Sequence, residues 1–181
     1  MDSLLSYISI AAMMVVIPGA DTMLVVKNTL RYGPNAGRCN VLGLATGLSF
    51  WTLIAVLGLA VVIAKSVILF NTIKYLGAAY LIYLGIKSFR EKMFSLEDIQ
   101  DEKNKTENAS SRHYKDSFMQ GLFSNVLNPK TVLVYITIMP QFINLRESVN
   151  QQLIILALIL TFLAVFWFLI LVYLIDFAKN G

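Results

Sequence analysis

The chain has 181 residues, 57% hydrophobic and only 14% charged, with a mean hydropathy of +0.67. Soluble domains carry about 25% charged residues, so this balance belongs to an integral membrane protein. The formal charge of +4 then speaks to orientation in a bilayer rather than to nucleic acid, and a single cysteine (Cys39) and a single histidine (His113) give no basis for an intrachain disulfide, a histidine-based metal cluster or a catalytic triad.

An apolar run of about 20 residues is long enough to cross a bilayer, and in lipid only a helix satisfies its own backbone over that length. Five such runs occur: Leu4–Val26, Val41–Ala64, Ser66–Ile86, Phe118–Ile143 and Leu153–Ile175. The first is read as a retained span and not a leader, because only Asp2 precedes it where a signal peptide carries basic residues. Two-thirds of the way along it stand Pro18 and Gly19, then Asp21. Proline removes a backbone donor and clashes with the preceding turn, so the helix is expected to kink or break there. A break at membrane depth exposes a new helix N-terminus, which attracts anionic groups; a substrate carboxylate is one candidate.

The connection Lys27–Asn40 reads as a basic loop turning at Gly33-Pro34. The second span is free of charge, and its Gly43 and Gly47 form a small-xxx-small pattern suited to helix packing or to a dimer contact. Almost no polar residue separates it from the third span, so the two are expected to form a hairpin. Lys74 in that third span is expected to snorkel to the interface. Tyr75, Tyr80 and Tyr83 read as ordinary buried or interfacial aromatics. The stretch Lys87–Asp116 mixes seven Lys/Arg with seven Asp/Glu and reads as a solvated linker.

The fourth span repeats the peculiarity of the first. Asn128-Pro129-Lys130-Thr131 answers Gly19-Ala20-Asp21-Thr22, and Leu133-Val134 answers Leu24-Val25. Asn125 and Asn128, three apart, share one helical face. An ionised group at bilayer depth costs about 2.5–3.5 kcal/mol on insertion scales, so Asp21 and Lys130 are functional candidates by default. Asp21 has three readings: proton carrier, ligand for a substrate ammonium, or partner of Lys130. Lys130 in turn suits a carboxylate. A structural ion pair between two half-helices is the plain alternative for both. Thr22, Thr131, Asn125 and Asn128 complete the expected substrate or proton pathway, and Pro18, Gly19 and Pro129 the helix breaks. No catalytic residue, metal ligand or cofactor is expected.

Lys and Arg number eleven on one side of the five spans and two on the other. The positive-inside rule then places the N-terminus outside and the long loop in the cytoplasm. With that topology the first and fourth spans run in opposite directions. Similar strings in opposite orientation are the mark of an inverted-topology repeat. The fold expected is therefore all-α: a multi-pass transmembrane bundle of three-helix units. Residues 1–89 form the first unit, residues 90–116 a cytoplasmic linker, and residues 117–181 a second unit one helix short.

At these residues the chain resembles the LysE/RhtB superfamily of bacterial amino-acid exporters, particularly its homoserine/threonine efflux branch. The resemblance rests on Pro18-Gly19-Ala20-Asp21-Thr22, the Gly43 to Gly47 stretch, Gly77-Ala78-Ala79-Tyr80-Leu81-Ile82-Tyr83-Leu84-Gly85, Asn128-Pro129-Lys130-Thr131 and Pro140-Gln141-Phe142. It implies a small inner-membrane protein of six helices that exports amino acids or close derivatives, driven by protons. Its partners would be the amino acid, protons and the lipid bilayer, with homo-oligomerisation open and nucleic acid not expected. The chain departs from the family in having Ala20 where a second proline is usual, and in lacking a sixth apolar span after Asp176. The competing expectation is thus a truncated, non-transporting membrane subunit that assembles with a complete copy.

Overall fold

The computed structural model describes residues 2–65 and 110–180, and these are almost wholly helical. The expected third span Ser66–Ile86, with Lys74, Tyr75, Tyr80 and Tyr83, lies outside the described residues, as does the linker as far as residue 109. Six α-helices are described: α1 Asp2–Val16, α2 Ala20–Tyr32, α3 Pro34–Lys65, α4 Ser110–Val126, α5 Pro129–Leu133 and α6 Val149–Asn180. Of these, α3 and α6 are each long and apolar enough to cross a membrane. The pair α1 and α2, bent by 51°, and α4 with the segment from Pro129 to Phe142, bent by 46°, each meet the same criterion when taken together, as a broken span or a re-entrant pair.

Local chemistry accounts for both breaks. Pro18 disfavours helical geometry at Ile17 and brings no N–H of its own. Gly19 then caps α2: its carbonyl accepts from Met23 N at 3.0 Å, and Thr22 Oγ1 lies 3.4 Å from the Gly19 amide. In the other span Pro129 takes the first position of α5, where a missing N–H costs nothing. Asn128 caps that helix by accepting from Lys130 N at 3.0 Å.

The polar connection expected over Lys27–Asn40 is instead one residue, Gly33. Helix α2 runs past the apolar boundary to Tyr32, and α3 begins at Pro34, again a proline opening a helix. Gly33 has φ +86, a left-handed value that glycine adopts without a steric penalty. Lys27, Arg31 and Arg38 are therefore helical. Helix α4 likewise starts at Ser110, two turns ahead of its apolar stretch, because a helical backbone does not stop where lipid ends. Beyond α5 the span continues as a π-turn over Val134–Ile138 and a 3-10 turn over Met139–Phe142. A short loop then joins it to α6, clasped by Asn144 N donating to Gln152 Oε1 (2.8 Å) and Gln152 Nε2 donating to Asn144 O (2.9 Å).

Glycines set the tightest seam. A β-carbon on Gly43 would meet the Phe118 carbonyl oxygen, and one on Gly121 the Asn40 carbonyl oxygen. One on Gly47 would stand 2.8 Å from Asn125. The Gly43/Gly47 pair thus serves packing within the chain, of α3 against α4. The core draws on every described span, with Tyr7, Val25, Leu44, Met139 and Leu153 fully buried. Helix α6 buries Leu160 and Phe168 yet leaves Leu158, Phe162 and Phe177 exposed, apolar on both faces as a helix between protein and lipid must be.

Candidate functional site

Asp21 and Lys130 occupy the same place in their respective half-helices. Each follows a cap residue (Gly19, Asn128) and one intervening residue (Ala20, Pro129), so each stands in the first turn after its break. Asp21 is favourably placed there, because the first turn carries the positive end of the helix dipole. Lys130 is not, and needs compensation from elsewhere.

Each charge reaches across to the other break. The Asp21 carboxylate, 8% exposed, accepts Ser124 Oγ at 2.7 Å on Oδ1, and on Oδ2 Asn125 Nδ2 at 3.1 Å and Asn128 Nδ2 at 3.0 Å. Lys130 Nζ donates to the Ile17 carbonyl at 2.7 Å. That oxygen lies just past the end of α1, where carbonyls lose their helical partners and a cation meets the negative end of a dipole. Among the described residues, then, the carboxylate's partners are uncharged donors and the ammonium's partner is a backbone carbonyl. The two charges face one cavity without joining each other.

Asn128 serves both halves, its oxygen capping α5 while its nitrogen holds Asp21. Removing the side chain is expected to cost about 1–2 kcal/mol from the lost cap alone. Asn128→Ala should therefore unfold earlier than wild type in a detergent thermal melt, and an unshifted midpoint would argue against the capping role. Asn125 Nδ2 is shared between Asp21 and Thr131 Oγ1, the latter at 3.2 Å. Thr22, through its contact with Gly19 N, keeps the α2 terminus closed.

The cavity between these groups has a volume of about 50 Å³. Asp21, Thr22, Asn125, Asn128, Lys130 and Thr131 line its polar side, so all six expected pathway residues meet there. Gly19 also lines it, while Pro18 and Pro129 are exposed and act through the backbone. The opposite wall is apolar, with Leu44 and Leu48 from α3 and Leu160, Ala164 and Phe168 from α6. Ser124 is the residue that sequence reasoning missed. Its neighbour Asn125 stands out in sequence by sharing a helical face with Asn128, whereas one serine in an apolar helix reads as packing. Above the cavity, the Tyr135 hydroxyl donates to the Leu48 carbonyl at 2.8 Å and lies 2.9 Å from Thr52 Oγ1. It stands on the π-turn, an irregularity frequent near functional sites.

Comparison with known proteins agrees with this architecture. A Bacillus subtilis (strain 168) protein, the uncharacterized membrane protein YrhP, is 75% identical over 99% of this chain and 86% of its own length. The leucine efflux proteins of Salmonella choleraesuis (strain SC-B67) and Salmonella paratyphi A (strain ATCC 9150 / SARB42) are each 30% identical over 77% of this chain. The chain spans 62% of the length of either one. No solved structure gives a significant match. Residues 12–180 match the family model of the LysE type translocators, a family of transporters and not of enzymes, and the chain belongs to that family.

Proposed function

We propose that this protein exports amino acids, neutral or basic, across the bacterial inner membrane in exchange for protons. The observation that carries the reading is the placement of Asp21 and Lys130, opposite charges at two helix breaks, on one cavity without a bond between them. An amino acid brings a carboxylate, an ammonium and a side chain. Lys130 suits the first, and Asp21 either binds the second or exchanges its place for a proton. The apolar wall of α3 and α6 suits an aliphatic side chain, in keeping with relatives named leucine efflux proteins. Discontinuous helices whose ends face a site at the bilayer midplane are a recurrent arrangement in secondary transporters.

The equivalent first-turn positions of Asp21 and Lys130 support an inverted repeat, and the eleven-to-two distribution of Lys and Arg supports an outside N-terminus with a cytoplasmic long loop. The direct test uses purified protein in liposomes loaded with labelled leucine. An outside-acid pH gradient is expected to accelerate efflux, and a protonophore to return it to the basal rate. Efflux indifferent to the gradient, across a panel of neutral and basic amino acids, would overturn proton antiport.

A further inference from the structure

Away from the cavity, five buried polar side-chain atoms have no partner among the described residues: Thr137 Oγ1, Trp167 Nε1 and a group of three, Asn28 Oδ1, Asn40 Oδ1 and Ser117 Oγ. The residues of this group are at most 1% exposed, and they belong to α2, α3 and α4. The seam brings them together. Asn40 Nδ2 donates to the Ser117 carbonyl at 2.9 Å, and Asn28 Nδ2 reaches Gln120 Oε1 at 3.4 Å. Turning the amides over does not help. The Ser117 carbonyl would then face another oxygen, and reversing Asn28 together with Gln120 only moves the orphan from oxygen to nitrogen. Unsatisfied buried polar groups are costly, and polar positions of this kind are where proteins hold internal water, which makes two to four hydrogen bonds apiece.

The cluster also lies in line with Asp21. On α2, Asn28 follows Asp21 by seven residues, hence on the same face and about 10 Å nearer the basic end of the bundle. Buried Val25 fills the space between them on that helix. On α4, buried Ser117, exposed Gln120 and half-buried Ser124 stand three and four residues apart on one stripe, and Ser124 Oγ donates to Asp21 Oδ1 at 2.7 Å.

We infer that Asn28, Asn40, Ser117 and Gln120 hold a file of water molecules that carries protons between Asp21 and the basic end of the bundle, with Ser124 as the relay next to the carboxylate. A proton leaving the Asp21 carboxyl goes to Ser124 Oγ as the serine passes its own hydroxyl proton to the first water. The file ends by releasing a proton to bulk water, and arrival runs in reverse. The inference rests on the proton-carrier reading of Asp21 given above.

Two transport modes separate the inference from that reading. Exchange of labelled for unlabelled leucine needs the substrate site but no net proton movement, whereas gradient-driven efflux needs both. Asn28→Leu replaces the orphan acceptor with an apolar branch; Asn28→Ser keeps a polar group at the position. Driven efflux by Asn28→Leu is expected to fall about tenfold or more while exchange persists, with Asn28→Ser within about threefold of wild type in driven efflux. Undiminished driven efflux in Asn28→Leu would overturn the water file. So would a parallel loss of driven efflux and exchange in both variants, which would mark Asn28 as structural. If Asn28→Leu does not fold, Ser117→Ala, which deletes the orphan hydroxyl without adding volume, is scored by the same criteria. Wild-type efflux that ignores the pH gradient would instead remove the proton-carrier reading of Asp21, and the water file with it.

Discussion

Gradient-driven export is expected to fall about a hundredfold or more when Asp21 is replaced by asparagine, the range in which a positioned proton-transfer group acts being about 10²–10⁴-fold. The substitution isolates charge because the surroundings can accept it. An asparagine at position 21 turns its oxygen to the amides of Asn125 and Asn128 and its NH2 to Ser124, whose hydroxyl rotates from donor to acceptor. Every hydrogen bond is kept, so the variant should melt within about 1 kcal/mol of wild type. Thermal unfolding in detergent and efflux from proteoliposomes, measured on the same preparation, check both halves of the statement. Gradient-dependent efflux at the wild-type rate would end the proton-carrier role of Asp21.

The second large effect is mechanical. Gly43→Leu is expected to prevent the folded protein from accumulating, since the added β-carbon would clash with the Phe118 carbonyl oxygen and stand 2.8 Å from Leu122 N. Both obstacles are backbone atoms of α4, which no rotamer change can move aside. Overpacking usually costs about 1–3 kcal/mol, and a clash between two backbones belongs at or beyond the top of that range. Gly58 is the internal control: on the same helix, its β-carbon would meet nothing within 4 Å among the described residues. Gly58→Leu should therefore elute as a single detergent-solubilised species with a wild-type melting temperature. A Gly43→Leu protein that did the same would refute the close α3–α4 seam.

How much of this was legible in sequence depended on whether the signal was local. Pro18 and Pro129 announce the breaks because proline acts on its own backbone and its immediate neighbour. The matching strings around Asp21 and Lys130 likewise foretold two charges in equivalent positions. Gly43 and Gly47 foretold a close approach but not its partner, because a small-residue pattern does not say which helix it receives. The acceptor of Lys130 had no signature at all, being the backbone carbonyl of Ile17. Helix ends were misplaced where apolarity alone was used. Hydropathy marks where lipid stops, whereas α2 continues to Tyr32 and α4 begins at Ser110. The π-turn after α5 was equally out of reach, since buried apolar residues look alike in α and π geometry.

The one-residue elbow at Gly33 has a kinematic consequence. With a single pair of backbone dihedrals between α2 and α3, and with Gly37 of α3 set against the Thr29 side chain of α2, there is no slack for α2 to swing alone. Helix α3 is in turn keyed to α4 through Gly43, Gly47 and Gly121. These three helices form one stiff body, and its joints to the rest of the chain include Ile17–Gly19 and Leu127–Asn128, the two places where the backbone is already interrupted. A rocking motion would articulate at those joints, so Asn128, which holds Asp21, and Ile17, which holds Lys130, are also residues on which the bundle would turn.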